Sequence, residues 1–186
     1  TIAQEMAFAL AVGAEYLDKL TDTDLNIDAI LPKMRFNVAV GQNYFMEMAK
    51  MRAYRVLWAN IAKAYGAKEE NAKMLIHAFN AQINMSLYDS YVNMLRTTTG
   101  SMSAILGGVH SFSVTPFDMV YEPTTEFAER IARNQQLILK EESHFDKVAD
   151  PAAGSYYIEN LTDSLVKAAW NLFLQIQEEG GYLAAL

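Results

Sequence analysis

The chain has 186 residues, of which 52% are hydrophobic, and its 15 basic and 22 acidic side chains give a net charge of −7. A chain of this length and apolarity forms one domain or a piece of a larger one, which argues against intrinsic disorder. The acidic balance disfavours nucleic acid and anionic membrane surfaces as partners. No apolar run reaches the roughly 18 residues that a membrane span needs.

The absence of cysteine rules out disulfides and thiolate metal sites, and it fits a reducing compartment. We therefore expect a cytoplasmic protein. No signal peptide is visible at the start. The chain opens on Thr1 with a helical pattern already under way at Ile2, so we expect a piece of a longer protein.

The hydrophobic pattern predicts five long helices and three short strands. In chain order these are a helix over 2–20, a strand over 34–40, a helix over 44–65, a strand over 74–79, a helix over 89–106, a strand over 110–115, and helices over 124–143 and 156–179. Asn43 and Asp89 are placed to cap the second and third helices. Glycines at 66 and 107–108 are placed to end them.

Alternating strands and helices at this spacing predict parallel strands joined by crossover helices. The two common arrangements are a doubly wound sheet and a TIM barrel. A doubly wound nucleotide-binding sheet should carry a glycine-rich turn directly after a strand, whereas Gly107–Gly108 ends a helix. We therefore expect an α/β fold that forms the C-terminal part of a TIM barrel, with about three parallel strands and long crossover helices.

Small polar side chains recur along two predicted strands. Because side chains alternate in a strand, Ser111, Ser113 and Thr115 should share one face, as should Asn37 and Ala39. TIM barrels usually fill their interior with large aliphatic residues. These faces indicate either a wettable bore or polar faces turned to solvent or to a helix.

Several motifs resemble the methylmalonyl-CoA mutase family in order and spacing over nearly the whole chain. They are Asn43-Tyr-Phe-Met-Glu-Met-Ala-Lys-Met-Arg-Ala53, Trp58, Tyr91-Val-Asn-Met-Leu-Arg-Thr-Thr-Thr99, Gly107-Gly108, Phe117-Asp118, Arg130-Ile-Ala-Arg-Asn134, Gln136, Glu141-Glu-Ser143, Lys147-Val-Ala-Asp-Pro151 and Gly154-Ser-Tyr156. The resemblance implies an isomerase that interconverts methylmalonyl-CoA and succinyl-CoA with adenosylcobalamin. It also implies a TIM barrel with a polar bore for CoA, and a separate cobalamin domain.

Departures from the family pattern favour the small, non-catalytic subunit of the two-chain mutases. The family's Arg-x-His strand reads Leu75-Ile-His77, and its Gly-Gly-Thr-Gln-Ser-Leu-His reads Gly107-Gly-Val-His-Ser-Phe-Ser113. No Asp-x-His-x-x-Gly cobalamin motif is present, and the family's Tyr-His pair falls upstream of Thr1. We expect residues 1–186 to be a piece of the barrel domain, without a cobalamin domain, from a chain that pairs with the large catalytic subunit in propionate metabolism.

The resemblance also assigns candidate residues. Vestigial substrate- or cofactor-facing positions are His77, His110, Ser111 and Ser113, and structural motif positions are Asn93, Arg96, Glu141 and Glu142. His77 has an alternative interpretation as a partly buried histidine bonded to backbone. We expect no catalytic residue, no metal site and a solvated His144. Acyl-CoA and adenosylcobalamin belong to the intact complex, and this piece should bind no cobalamin.

Two alternatives stay open. One is the same barrel region of a catalytic mutase chain. The other is a phosphate-binding barrel lyase or hydrolase, which would need a glycine-rich loop after the third strand, where Thr115-Pro-Phe-Asp118 stands.

Arg96 should bond backbone carbonyls or a carboxylate, and its loss should cost roughly 2–4 kcal/mol. Open sheet edges should make residues 1–186 self-associate.

Overall fold

The computed structural model describes residues 1–185, which form six α-helices and three parallel β-strands. In chain order they are α1 (Ile2–Thr21), α2 (Ile27–Ile30), β1 (Phe36–Val40), α3 (Tyr44–Ala64), β2 (Ile76–Asn80), α4 (Val92–Leu106), β3 (Ser111–Ser113), α5 (Glu126–Glu141) and α6 (Tyr156–Glu178). The predicted class, an α/β chain with three parallel strands as in part of a TIM-like barrel, is confirmed. None of these helices is long and apolar enough to cross a membrane.

The element boundaries differ from the predicted ones where the backbone turns. α4 begins at Val92 with Tyr91 at its N-cap, so the prediction of Asp89 as the cap is wrong. Asp89 has a φ of +52°, a left-handed conformation that a helix cannot include. The short helix α2 was not predicted, because four residues carry too little periodicity to be recognised.

The described residues divide into two compact units. The first contains residues 1–36, 49–75 and 159 onward, and the second contains residues 37–48 and 76–158. The candidate site residues all fall in the second unit.

In the first unit, α1 packs closely against α3 at a glycine. A Cβ added to Gly13 would lie 2.7 Å from Cζ3 of Trp58 and 2.9 Å from Cζ of Phe36. The rings of Phe36 and Trp58 meet edge to face with centroids 4.7 Å apart. Lys50, which is 1% exposed, pairs with Glu5 across 3.2 Å and so links the two helices by charge as well.

The second unit contains the three-stranded sheet, in the order β1-β2-β3. Strands β2 and β3 run parallel, with His77 opposite Ser111 and Phe79 opposite Ser113. One face of the sheet carries buried side chains, namely Val38, Val40, Ile76, Ala78 and Asn80. The other face, which we call the open strand face, carries Asn37, Ala39, His77, Phe79, Ser111 and Ser113, all exposed or half-buried.

Thr115 does not join Ser111 and Ser113 on the open strand face, so that part of the prediction is wrong. The strand ends at Ser113, and the chain then turns over the carboxyl end of β2. Thr115 is 8% exposed, and it donates its N–H to Oδ1 and its hydroxyl to the carbonyl of Asn80, each across 3.1 Å. The alternation rule fails here because it holds only while the strand continues.

Candidate functional site

The open strand face brings three of the four predicted substrate-facing residues together. The parallel register sets His77 on β2 beside Ser111 on β3. Nδ1 of His77 lies 2.8 Å from Oγ of Ser111, and Nε2 lies 3.3 Å from Oγ of Ser113. Both ring nitrogens are therefore engaged by side chains of the neighbouring strand. The alternative in which His77 bonds to backbone does not match these contacts.

His110, the fourth of these residues, lies apart from that group. It precedes β3 and donates its backbone N–H to the carbonyl of Ile76 across 2.9 Å. Its ring Nδ1 accepts the N–H of Ile76 across 3.2 Å. The ring therefore bonds the backbone at the amino end of β2, whereas TIM-barrel sites are built at the carboxyl ends of strands.

The carboxyl ends of the strands carry a buried polar group built around Asn93 of α4, which is 0% exposed. Its Nδ2 donates to the carbonyls of Ser86, across 2.9 Å, and Phe117, across 3.1 Å. Its Oδ1 accepts the N–H of Ser86 at 2.9 Å and Nη1 of Arg96 at 3.0 Å. One amide thus bonds the β2–α4 loop, the β3–α5 loop and a side chain of α4.

Arg96 bonds a different partner from the one predicted. Its guanidinium donates to the side-chain oxygen of Asn93, not to a backbone carbonyl or a carboxylate. Arg96 is half-buried and lines a cavity of about 10 Å³ with Gln42, Asn84 and the ends of β1 and β2. That volume matches about one water molecule.

The remaining predicted residues lie on the surface. Glu141 ends α5 and contacts Lys140 at 3.2 Å, and Glu142 follows it at the C-cap; both are exposed. His144 is exposed in the loop after α5, as predicted, with a φ of +55°. Within residues 1–185 no group of three or more His, Cys, Asp or Glu side chains is placed to hold a metal ion.

Sequence reasoning missed the role of Asn80. This residue ends β2 on the buried face, is 5% exposed, and donates Nδ2 to the carbonyl of Thr97 across 3.2 Å. With its two bonds to Thr115 it joins β2, α4 and the segment after β3. Its position at the carboxyl end of a buried strand was the available signal, because polar side chains there contact the neighbouring loops.

Asp118 belongs to the Phe117-Asp118 motif, and its carboxylate is fully buried. Oδ2 accepts both the N–H and the hydroxyl of Thr125 at 2.8 Å, which fixes the residue that caps α5. Oδ1 is buried without a hydrogen-bond partner. An acidic side chain beside a helix N-terminus is stabilised by the helix dipole, so the carboxylate serves the cap.

Comparison with known proteins finds one family over the whole chain. The family model described as methylmalonyl-CoA mutase matches residues 1–186. A methylmalonyl-CoA mutase small subunit from Porphyromonas gingivalis is 53% identical over 99% of this chain and 30% of that protein. The large subunit from the same organism is 41% identical over 98% of this chain and 26% of that protein.

A methylmalonyl-CoA mutase from Rhizobium meliloti is 41% identical over 100% of this chain and 26% of that protein. The chain therefore spans between 26% and 30% of the length of these relatives.

Proposed function

Because the chain belongs to the methylmalonyl-CoA mutase family, we propose that it is part of the barrel domain of a small subunit. Such a subunit supports the interconversion of methylmalonyl-CoA and succinyl-CoA by pairing with a large catalytic chain. The observation that carries the proposal is the difference in identity to the two subunits of one organism, 53% to the small and 41% to the large. The match to this isomerase family also removes the support for a phosphate-binding lyase or hydrolase.

The residues on the open strand face support a structural role. Leu75 stands where the resemblance expects an arginine, and Ser113 stands where it expects a histidine. His77 bonds both serines through its two ring nitrogens, and His110 bonds the backbone. We therefore assign no catalytic residue to residues 1–186, and we regard these four positions as vestigial substrate-facing sites.

The mutase family uses adenosylcobalamin, and the histidines of this chain do not fit a cobalt ligand. The ring nitrogens of His77 face two serines, and Nδ1 of His110 faces a backbone N–H. His144 lies in an exposed loop without the Asp-x-His-x-x-Gly sequence of a cobalamin domain. The radical chemistry therefore belongs to the catalytic chain, and residues 1–186 should bind no cobalamin. We also propose that the protein is located in the cytoplasm.

Association with a large subunit tests the proposal. The full-length protein that contains these residues should be expressed with and without the large subunit of its own organism, and the products analysed by size-exclusion chromatography with light scattering. We expect a stable complex with one copy of each chain. Two separate peaks at micromolar concentration, or an active homodimer of this protein alone, would contradict it.

A further inference from the structure

His77, Ser111 and Ser113 form a small hydrogen-bonded group on the open strand face, which we call the His77 clamp. Two bonds connect β2 to β3, one of 2.8 Å at Nδ1 and one of 3.3 Å at Nε2 of the same ring. Both serines are exposed and His77 is half-buried. The group therefore lies on the surface that the resemblance assigns to substrate, yet both serines bond His77.

The chemistry of the three side chains makes this arrangement self-contained. A neutral imidazole has one nitrogen that donates and one that accepts, while a serine hydroxyl does both. In either tautomer, one serine can accept from the ring N–H while the other donates to the bare nitrogen. Both ring nitrogens are thus satisfied without any group from outside the sheet.

We propose that the His77 clamp fixes the register of β3 on β2. In this role His77 positions β3, because both of its ring nitrogens bond serines of that strand. This inference rests on the proposed function in one respect, since a subunit without catalysis needs no ligand contact on this face. Strand β3 has only three residues, from Ser111 to Ser113, so its backbone pairing alone holds it weakly.

The register argument follows from the alternation of side chains. In the observed register Ser111 lies opposite His77, and Ser113 lies opposite Phe79 on the same face. A slip of one residue would turn both serines to the other face and bring Phe112 beside His77. Only the observed register places the hydroxyls of Ser111 and Ser113 beside the ring of His77. The two side-chain bonds therefore favour this register over a shifted one.

The clamp can be tested by NMR of the histidine ring in the full-length protein. Ring nitrogen shifts should show His77 hydrogen-bonded at both nitrogens. The double variant Ser111→Ala/Ser113→Ala should move both shifts, and amide exchange across β3 should become at least tenfold faster. Ser113→Thr keeps a hydroxyl and should retain the wild-type pattern. Ser143→Ala, at an exposed serine after α5, is the matched control.

A single-serine variant and a measurement of kcat/KM complete the test. If the double variant does not fold, Ser113→Ala alone should move the shift of Nε2, the nitrogen with the longer bond. The complex with the large subunit should show the same kcat/KM for methylmalonyl-CoA with wild-type protein and with the clamp variants. Unchanged ring shifts in the alanine variants would overturn the clamp.

A tenfold loss of kcat/KM in the serine variants without faster exchange in β3 would also overturn the clamp, because it would place the serine hydroxyls at the substrate. Failure of the proposed function looks different. The chain would then not bind a large subunit, while the ring shifts would still respond to the serine substitutions.

Discussion

Asn80 and Thr115 are joined by two hydrogen bonds of 3.1 Å, one from the backbone N–H and one from the hydroxyl of Thr115. A third bond, of 3.2 Å, runs from Nδ2 of Asn80 to the carbonyl of Thr97. One side chain at the end of β2 thus sets the positions of the chain after β3 and of α4, on which the loops at this end of the sheet depend.

Gly100 allows this arrangement, and its replacement should disturb it. A Cβ at residue 100 would lie 2.7 Å from Nδ2 of Asn80, an atom held in place by its bond to Thr97. We expect Gly100→Ala to lower the free energy of unfolding by about 1–3 kcal/mol through overpacking. Thr99→Ala, at an exposed neighbour on the same helix, should change it by less than about 0.5 kcal/mol. Equal effects of the two variants in urea titrations would refute the close contact.

Asn93 should matter more for stability than Arg96. Asn93→Ala removes four hydrogen bonds from a fully buried site and should cost about 3–5 kcal/mol. Arg96→Met removes one bond at a half-buried side chain and should cost about 1–2 kcal/mol, less than the sequence alone suggested. Denaturant midpoints of both variants in the full-length protein measure the difference. A larger loss for Arg96→Met would contradict the observed contacts.

Asp28 should make stability depend on acid pH. The amide of Asn71, at 2.9 Å, and the backbone N–H of Lys68, at 3.0 Å, hold the pKa of its carboxyl below the usual 3.8. Because the folded pKa is depressed, the stabilisation is complete above the unfolded pKa and is lost as pH falls through the folded value. The gap in thermal midpoint between wild type and Asp28→Ala should be constant near neutral pH and should close below about pH 3.8.

The control for Asp28 is Glu69→Ala, at an exposed carboxylate in the loop that carries Lys68 and Asn71. Its gap from wild type should stay small at every pH. A gap for Asp28→Ala that widens in acid would show that the carboxylate is not the stabilising form.

Residues 1–186 on their own should self-associate. In the described chain β1 and β3 are the outer strands of the sheet, and an uncovered edge offers backbone groups that pair with another chain. Sedimentation equilibrium at low micromolar concentration should show dimers or larger species, while the full-length protein with its large subunit should not aggregate. A soluble monomer that unfolds cooperatively would contradict this expectation.

The sequence predicted the elements well where local pattern determines them. The helix ending near Gly66 follows from periodicity and from glycine's tolerance of left-handed backbone, since Gly66 has a φ of +82°. The strand ending at Val40 follows from its run of β-branched and aromatic residues. The start of α4 was wrong because the left-handed φ of Asp89 depends on its surroundings. Local pattern cannot supply that information.

The same limit applies to the candidate site. Alternation placed Ser111 and Ser113 on one face. Their contact with His77 required the register of two strands that lie 34 residues apart in sequence. The bonds of Asn80 to Thr115, 35 residues away, are likewise a product of tertiary packing that propensities do not contain.

Turnover decides whether this protein supports mutase activity without performing it. Full-length protein should be assayed alone and with its large subunit, using methylmalonyl-CoA and adenosylcobalamin, and succinyl-CoA should be measured by chromatography. We predict no product above background from the protein alone and full activity from the complex. Saturable turnover by the protein alone, abolished by His77→Ala, would contradict it and place catalysis on the open strand face.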